Sequence, residues 1–308
     1  MIAITGYSGF VGQQLLKQLP AEKCLLMGRV KPQANYKFCQ FELSSNEYLD
    51  LISSLNRVNT LVHIAARVHI MNDESLNSIT EFRAINTRGT LNLAIQAAQA
   101  GVERFIFVSS IKVNGESTTD KRPFTANDKP APVDPYGISK AEAEQQLLEL
   151  GNKTGMEIVI IRPPLVYGEG VKANFASLMG FVGKELPLPF RAIKNNERSL
   201  VSVYNLVDLI KVCIEHPKAA NQIFLVSDDH NLSTAEMVSL MAKVQGKRNF
   251  AIPVPIWCFK FAGELLNKTD VVDRLTGSLQ LDITHTKKTL DWTPPYSVEH
   301  GFKLAAKK

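Results

Sequence analysis

Up to about Ile161, short apolar runs alternate with stretches in which apolar residues recur every three or four positions. The short runs, Ile2 to Thr5, Cys24 to Met27, Thr60 to Ile64, Phe105 to Val108 and Ile158 to Ile161, predict β-strands. Between them, Phe10, Val11, Leu15, Leu16 and Leu19 lie on a helical period, and Ser78 to Ala100 predicts one long helix. Another helix is predicted from its ends: Asp134 as N-cap, Pro135 at the first helical position, strong helix formers to Leu148, and Gly151 as the stop. Strands alternating with helices imply an α/β fold, a doubly wound parallel sheet covered on both faces. After Arg162, Pro163 and Pro164 the pattern loosens, broken by Gly168, Gly170, Gly180, Gly183, Pro187 and Pro189. Strands predicted at Ser199 to Val203 and Ile223 to Val226 suggest that the chain returns there to its first domain. Beyond Ser227, a helix near Thr234 to Gln245 and a loop from Trp292 to Pro295 are expected.

Composition narrows the classes. At 308 residues, one large α/β unit with a smaller appended region is the natural organisation. The net charge of +5 comes without a dense basic block, so no nucleic-acid partner is inferred. Cys24, Cys39, Cys213 and Cys258 are scattered without a paired spacing, which indicates neither a disulfide framework nor a zinc site. Cys24 and Cys213, in apolar runs, read as small core residues. No signal-type segment opens the chain and no apolar run is long enough to span a bilayer, so a soluble cytoplasmic protein without membrane insertion is expected. Lys307 and Lys308 read as a solvated tail.

Candidate chemistry lies at the strand ends. Gly6, Gly9 and Gly12 follow the first strand and open a helix, as a dinucleotide-binding turn requires, although such glycines can also merely shape a tight turn. Their spacing is GxxGxxG, not the commoner GxGxxG. Where an acidic residue would meet the adenosine ribose of NAD, the chain has Gly28 and Arg29, which favours NADP(H) over NAD(H) unless Arg29 is an ordinary loop charge. Glu42, before Leu43 at the end of a third strand, is a candidate adenine contact or a solvated carboxylate. Ser110 follows the strand that starts at Arg104, at the carboxyl end of the sheet where such folds bind ligands. Tyr136 and Lys140 are four residues apart on one helical face, and a nearby ammonium stabilises a phenolate, making the pair a candidate proton-transfer device.

Gly6, Gly9, Gly12, Ser110, Tyr136 and Lys140, in this order, resemble the extended short-chain dehydrogenase/reductase family over nearly the whole chain. Supporting segments run from Val62 to Ala66, Asn86 to Thr90, Ser109 to Gly115 and Arg162 to Gly168. The resemblance implies a Rossmann-type domain over residues 1–165, rejoined at about 198–226, with a smaller α/β substrate-binding region over 166–197 and 227–308. It also implies that Ser110 hydrogen-bonds the reacting oxygen, Tyr136 transfers its proton, and Lys140 holds the nicotinamide ribose and tunes the tyrosine. Further cofactor contacts are implied at Ser8, Phe10, Val11, Ala65, Ala66, Asn86, Ser109, Pro163 and Val166. A homodimer is expected on the same ground alone.

In nucleotide-sugar members of this family, an arginine placed like Arg198 meets the substrate diphosphate, and Asn174 and Arg274 resemble two further contacts. Arginine's planar fork suits that task, though both arginines could be surface charges. Lys172 and His69 are weaker candidates. Ser110 is followed by Ile111 and Lys112, not by the acidic pair of dehydratases, so dehydration ranks last. Arg29 in place of an acid, and Asn114 where related epimerases carry tyrosine, lean toward reduction of the C4 ketone of a UDP-linked 6-deoxy-4-keto sugar in bacterial surface-polysaccharide synthesis. The run from Arg67 to Met71 is similar to such reductases. A UDP-hexose 4-epimerase, acting on UDP-glucose or UDP-N-acetylglucosamine, is the alternative. A non-catalytic dinucleotide sensor would need no serine, tyrosine and lysine set.

Overall fold

A computed structural model of the chain describes residues 1–43, 50–68, 78–171 and 173–307. His69, Lys172 and the part of the reductase-like run beyond Val68 lie outside the described residues. Ten strands form among the described residues: β1 (Ile2–Thr5), β2 (Cys24–Gly28), β3 (Lys37–Gln40), β4 (Thr60–His63), β5 (Arg104–Val108), β6 (Glu157–Arg162), β7 (Leu165–Tyr167), β8 (Arg198–Ser202), β9 (Gln222–Leu225) and β10 (Asn231–Leu232). Seven make a parallel sheet in the order β3-β2-β1-β4-β5-β6-β9. The order reverses between β1 and β4, which opens a crevice at their carboxyl ends.

Period-two alternation splits the strand side chains between two cores. Ile4, Leu26, Val62, Ile106 and Val159 pack against Leu206, Val207 and Ile210 of the helix Val203–Glu215, with Leu15 and both Cys24 and Cys213 in the same cluster. Ala3, Leu25, Leu61, Phe105, Phe107 and Ile158 pack on the other face against Leu93 and Ala97 of the helix Thr90–Gln99 and Ala143 and Leu147 of the helix Pro135–Thr154. The apolar runs are thus strands buried on both sides, as a doubly wound parallel sheet demands.

Several local expectations are corrected. The helix carrying Tyr136 does not stop at Gly151 but runs to Thr154, where Gly155 caps it in the left-handed conformation with φ 79°. Gly151 is glycine because a Cβ there would sit 2.6 Å from Ile158 Cγ1 of the neighbouring strand. The segment expected to be one helix changes to π-helical winding at Arg83–Gly89, between Ser78–Phe82 and Thr90–Gln99. β3 ends at Gln40, short of Glu42 and Leu43. Finally, β8 does not rejoin the large sheet: it pairs with β7 and β10 in a small one, and the chain returns only with Val203–Glu215 and β9. Beside the small sheet, Tyr167, Phe175, Met179, Val238, Met241 and Phe302 form a third apolar cluster.

His63, at the end of β4, is fully buried, with Nδ1 2.6 Å from Thr5 Oγ1 and Nε2 3.0 Å from Thr90 Oγ1. Burial and then the Lys140 charge push its imidazole down to about 3 from 6.5. Because the unfolded chain takes up this proton first, the His63 contribution to stability is present above pH 6.5 and is lost as pH falls toward 3. His63→Gln is expected to flatten that part of the profile, measured by denaturant unfolding across the window. Parallel profiles for the two proteins would assign the acid sensitivity elsewhere.

Candidate active site

The crevice at the carboxyl ends of the strands is a cavity of about 810 Å³. Its walls are the glycine turn after β1, the β2 end with Arg29, Glu42 and Leu43, the β4 end with Ala65 and Ala66, the β5 end with Ser109 and Ser110, Tyr136 and Lys140, and Pro163 and Val166 after β6. The structure therefore brings most of the candidate site residues to one surface.

In the glycine turn, Gly9 N–H donates to Gly6 O at 3.0 Å, and Gly6 takes φ +70°. A Cβ on Gly12 would lie 2.2 Å from Gly6 O, and one on Gly6 would lie 2.6 Å from Ala65 N. The bare backbone of this turn, with Ser8, Phe10 and Val11 on the cavity wall, fits the pyrophosphate cradle of a dinucleotide. Gly12→Ala is expected to expel Gly6 from its place and lower dinucleotide affinity at least about tenfold, read by titration calorimetry. Unchanged affinity would show that the turn is not the cradle.

Tyr136 enters at the start of a helix fixed by Asp134, whose Oδ1 accepts from Gly137 N at 2.7 Å. Its ring meets Phe82 edge-on, 6.0 Å between centroids. Four residues on, Lys140 is buried, donates to Val108 O at 2.8 Å and lies 4.1 Å from the Phe107 ring centroid. Burial pushes the Lys140 ammonium down to about 7, opposed by the Glu144 carboxylate. Burial, then the Asp134 carboxylate, raises the Tyr136 phenol above its usual range. Both influences favour the neutral phenol, so the phenolate that tuning by Lys140 is expected to stabilise calls for further positive charge at the site. Ser110 starts the short turn Ile111–Val113, its Oγ accepting from Lys112 N at 3.3 Å, which leaves its hydroxyl hydrogen to donate.

Asn86 stands apart from the cavity wall. Its amide accepts from Arg67 N at 2.8 Å and donates to Arg67 O and Ser139 Oγ at 3.0 and 3.1 Å. It ties the loop after β4 to the Tyr136 helix. Its position in the π-helical turn is a common one for site residues. The Ser109 hydroxyl likewise points inward, donating to Glu144.

Beneath the site lies a network that the sequence did not disclose. Glu144 and Arg162 are an ion pair whose side chains are 3% and 2% exposed, joined through both Nε and Nη2. Arg162 also donates to Asn114 Oδ1 at 2.9 Å, and Asn114 donates to Thr125 O at 3.0 Å. Asn114 is therefore spent on the scaffold, which removes its weight as a sign of reductase chemistry. Lys112 pairs with Asp134 and Glu116 at the start of the Tyr136 helix. The signal for Glu144 was its place four residues beyond Lys140.

Arg29 lies 3.8 Å from Glu42 at the cavity rim, both side chains well exposed. The guanidinium expected to favour NADP thus shares its place with a carboxylate. Arg198, Arg274 and Asn174 are outside the cavity lining. Arg198 is held by burial and donates to Gly277 O at 3.3 Å; burial and then the Arg274 charge lower its pKa, so the two arginines face a common region. Asn174 is exposed on the helix Ala173–Gly183. Among the described residues, no acidic, cysteine and histidine cluster could hold a metal ion.

The model of the NAD dependent epimerase/dehydratase family matches residues 2–227. A Vibrio cholerae protein named UDP-glucose 4-epimerase is 53% identical over 308 residues, covering 99% of this chain and 94% of that one. The solved UDP-glucose 4-epimerase of Thermotoga maritima with UDP-glucose superposes with a TM-score of 0.78 at 22% identity, covering 99% of this chain and 97% of that one. The UDP-glucuronic acid 4-epimerase of Bacillus cereus in complex with NAD has the same TM-score of 0.78 at 18% identity and the same coverage, 99% and 97%.

Proposed function

The chain belongs to the NAD dependent epimerase/dehydratase family, and from that premise we propose that it interconverts C4 epimers of a UDP-linked hexose, with UDP-glucose as one partner. The observation that carries this reading is the 53% identity to a full-length UDP-glucose 4-epimerase, in a chain whose Ser110, Tyr136 and Lys140 meet at one cavity with the glycine turn. The 4-ketoreductase expected from Arg29 and Asn114 gives way: Asn114 supports the scaffold, and Arg29 faces Glu42. NAD replaces NADP for the same reason, since the Glu42 carboxylate would repel a 2′-phosphate, and the family description and the Bacillus cereus complex both name NAD.

Bound NAD supplies what no side chain can, reversible removal of hydride from a carbinol carbon. As its phenolate, which positive charge brought to the site by an oxidised dinucleotide would favour, Tyr136 would accept the O4 proton when the carbinol is oxidised and would return it when the ketone is reduced from its opposite face. Ser110 donates to O4, where negative charge develops. The Lys140 ammonium, fixed by Val108 O and favoured by Glu144, places positive charge beside the phenol. Arg198 and Arg274 hold the diphosphate, which relieves their mutual repulsion while leaving the sugar free to present either face.

The test pairs two assays. Purified protein should convert UDP-glucose without consuming added NADH or NADPH, and acid release should yield NAD. Stoichiometric oxidation of either reduced cofactor by a UDP-4-keto-6-deoxy-N-acetylhexosamine, with no epimer formed from UDP-glucose, would restore the reductase reading.

A further inference from the structure

The helix Ile256–Leu265 carries Trp257, Phe261 and Leu265 at four-residue spacing, 69%, 64% and 74% exposed. These residues form one apolar ridge, and Phe250, Ile252 and Leu266 in the flanking chain are exposed as well. The ridge is firmly mounted. On its opposite side, Gly263 is buried against Val272, where a Cβ would lie 2.7 Å from Cγ2, and Phe259 stacks on Phe190 at 6.1 Å. The preceding segment is pinned by backbone bonds from Leu188 N to Phe250 O and from Ile252 N to Leu188 O.

On the flank of the ridge Lys260 and Glu264 are both exposed, and in the chain on either side Lys247, Arg248 and Lys268 are exposed against Asp270 and Asp273. We propose that this face docks on an anionic lipid bilayer, with the helix lying in the headgroup plane. Aromatic and leucine side chains on one side with lysines at the rim are what an interfacial helix presents: the rings enter the acyl boundary and the lysines extend to phosphate headgroups. The attachment is peripheral; no described helix is long and apolar enough to cross a membrane.

Trp257 is a built-in probe, since the other tryptophan, Trp292, is 5% exposed and donates to Asp208. The intact protein should float with vesicles of phosphatidylglycerol and phosphatidylethanolamine at low salt, with a blue-shifted Trp257 emission quenched by brominated lipid. It should not float with phosphatidylcholine vesicles. The triple variant Trp257→Ser, Phe261→Ser, Leu265→Ser should lose at least about tenfold in bound fraction. Lys260→Glu with Lys268→Glu should abolish the salt-sensitive part. Both variants should keep the unfolding midpoint. Three results would overturn the proposal: the intact protein stays in the aqueous fraction, the triple variant floats equally well, or that variant turns a solution oligomer into monomers, which would make the ridge a contact between copies.

Discussion

Replacing Tyr136 by phenylalanine is expected to lower turnover by about 10²- to 10⁴-fold, the range general acid–base catalysis supplies. The ring should still fill its place against Phe82, 6.0 Å between centroids, so folding and dinucleotide content should not change. That combination distinguishes a lost proton-transfer group from a damaged pocket. Ser110 keeps its hydroxyl hydrogen to donate to O4, and an aliphatic hydroxyl is a far weaker acid than a phenol, so it does not substitute for Tyr136 in moving the proton. The measurement is the initial rate of epimer formation beside the released nucleotide per mole of protein. A rate within a few-fold of the parent would remove Tyr136 from the chemistry, and a loss of bound nucleotide would assign it to binding.

Glu144→Ala is expected to have the largest effect on stability, roughly 3–5 kcal/mol, because it strands the Arg162 guanidinium in the interior. The same substitution takes the hydrogen-bond acceptor from Ser109 and the favourable charge from Lys140. With that carboxylate gone, the Lys140 ammonium should deprotonate at lower pH than the present value of about 7, and the alkaline limb of the activity profile should move toward acid. Replacing both partners, Glu144→Met with Arg162→Met, should cost less than Glu144→Ala alone, since no unpaired charge remains. Denaturant unfolding and a pH–rate profile of the single and double variants check this. Additive losses, with an unmoved alkaline limb, would mean that the pair neither acts as a unit nor supports Lys140.

The parallel sheet was legible because each strand is buried on both faces and therefore reads as an unbroken apolar run, set off by helices of different period. The glycine turn was legible because backbone crowding at Gly6 and Gly12 allows no substitute. Gly151 misled for the same reason: it answers to the close approach of Ile158, a contact invisible along the chain, whereas the actual stop, Gly155, answers to a backbone angle. β8 has the pattern of a sheet strand but joins β7 and β10, and nothing local distinguishes one sheet from another. Glu144 and Arg162 are eighteen positions apart and meet only through the packing of the Tyr136 helix on β6. Asn114 looked like a departure in the reacting site until its two hydrogen bonds placed it beneath the site. Arg29 stands along the chain where a phosphate ligand or a loop charge would serve, and its neighbour in space, Glu42, is thirteen positions away.

Exchange of configuration at C4 of a UDP-hexose is read from the anomeric proton of UDP-glucose, followed by NMR with purified protein and no added cofactor. A second anomeric signal, that of UDP-galactose, is expected to grow to a constant ratio that is the same when UDP-galactose is the starting material, and to be absent with Tyr136→Phe. An unchanged UDP-glucose spectrum, from protein shown to carry its dinucleotide, would contradict it.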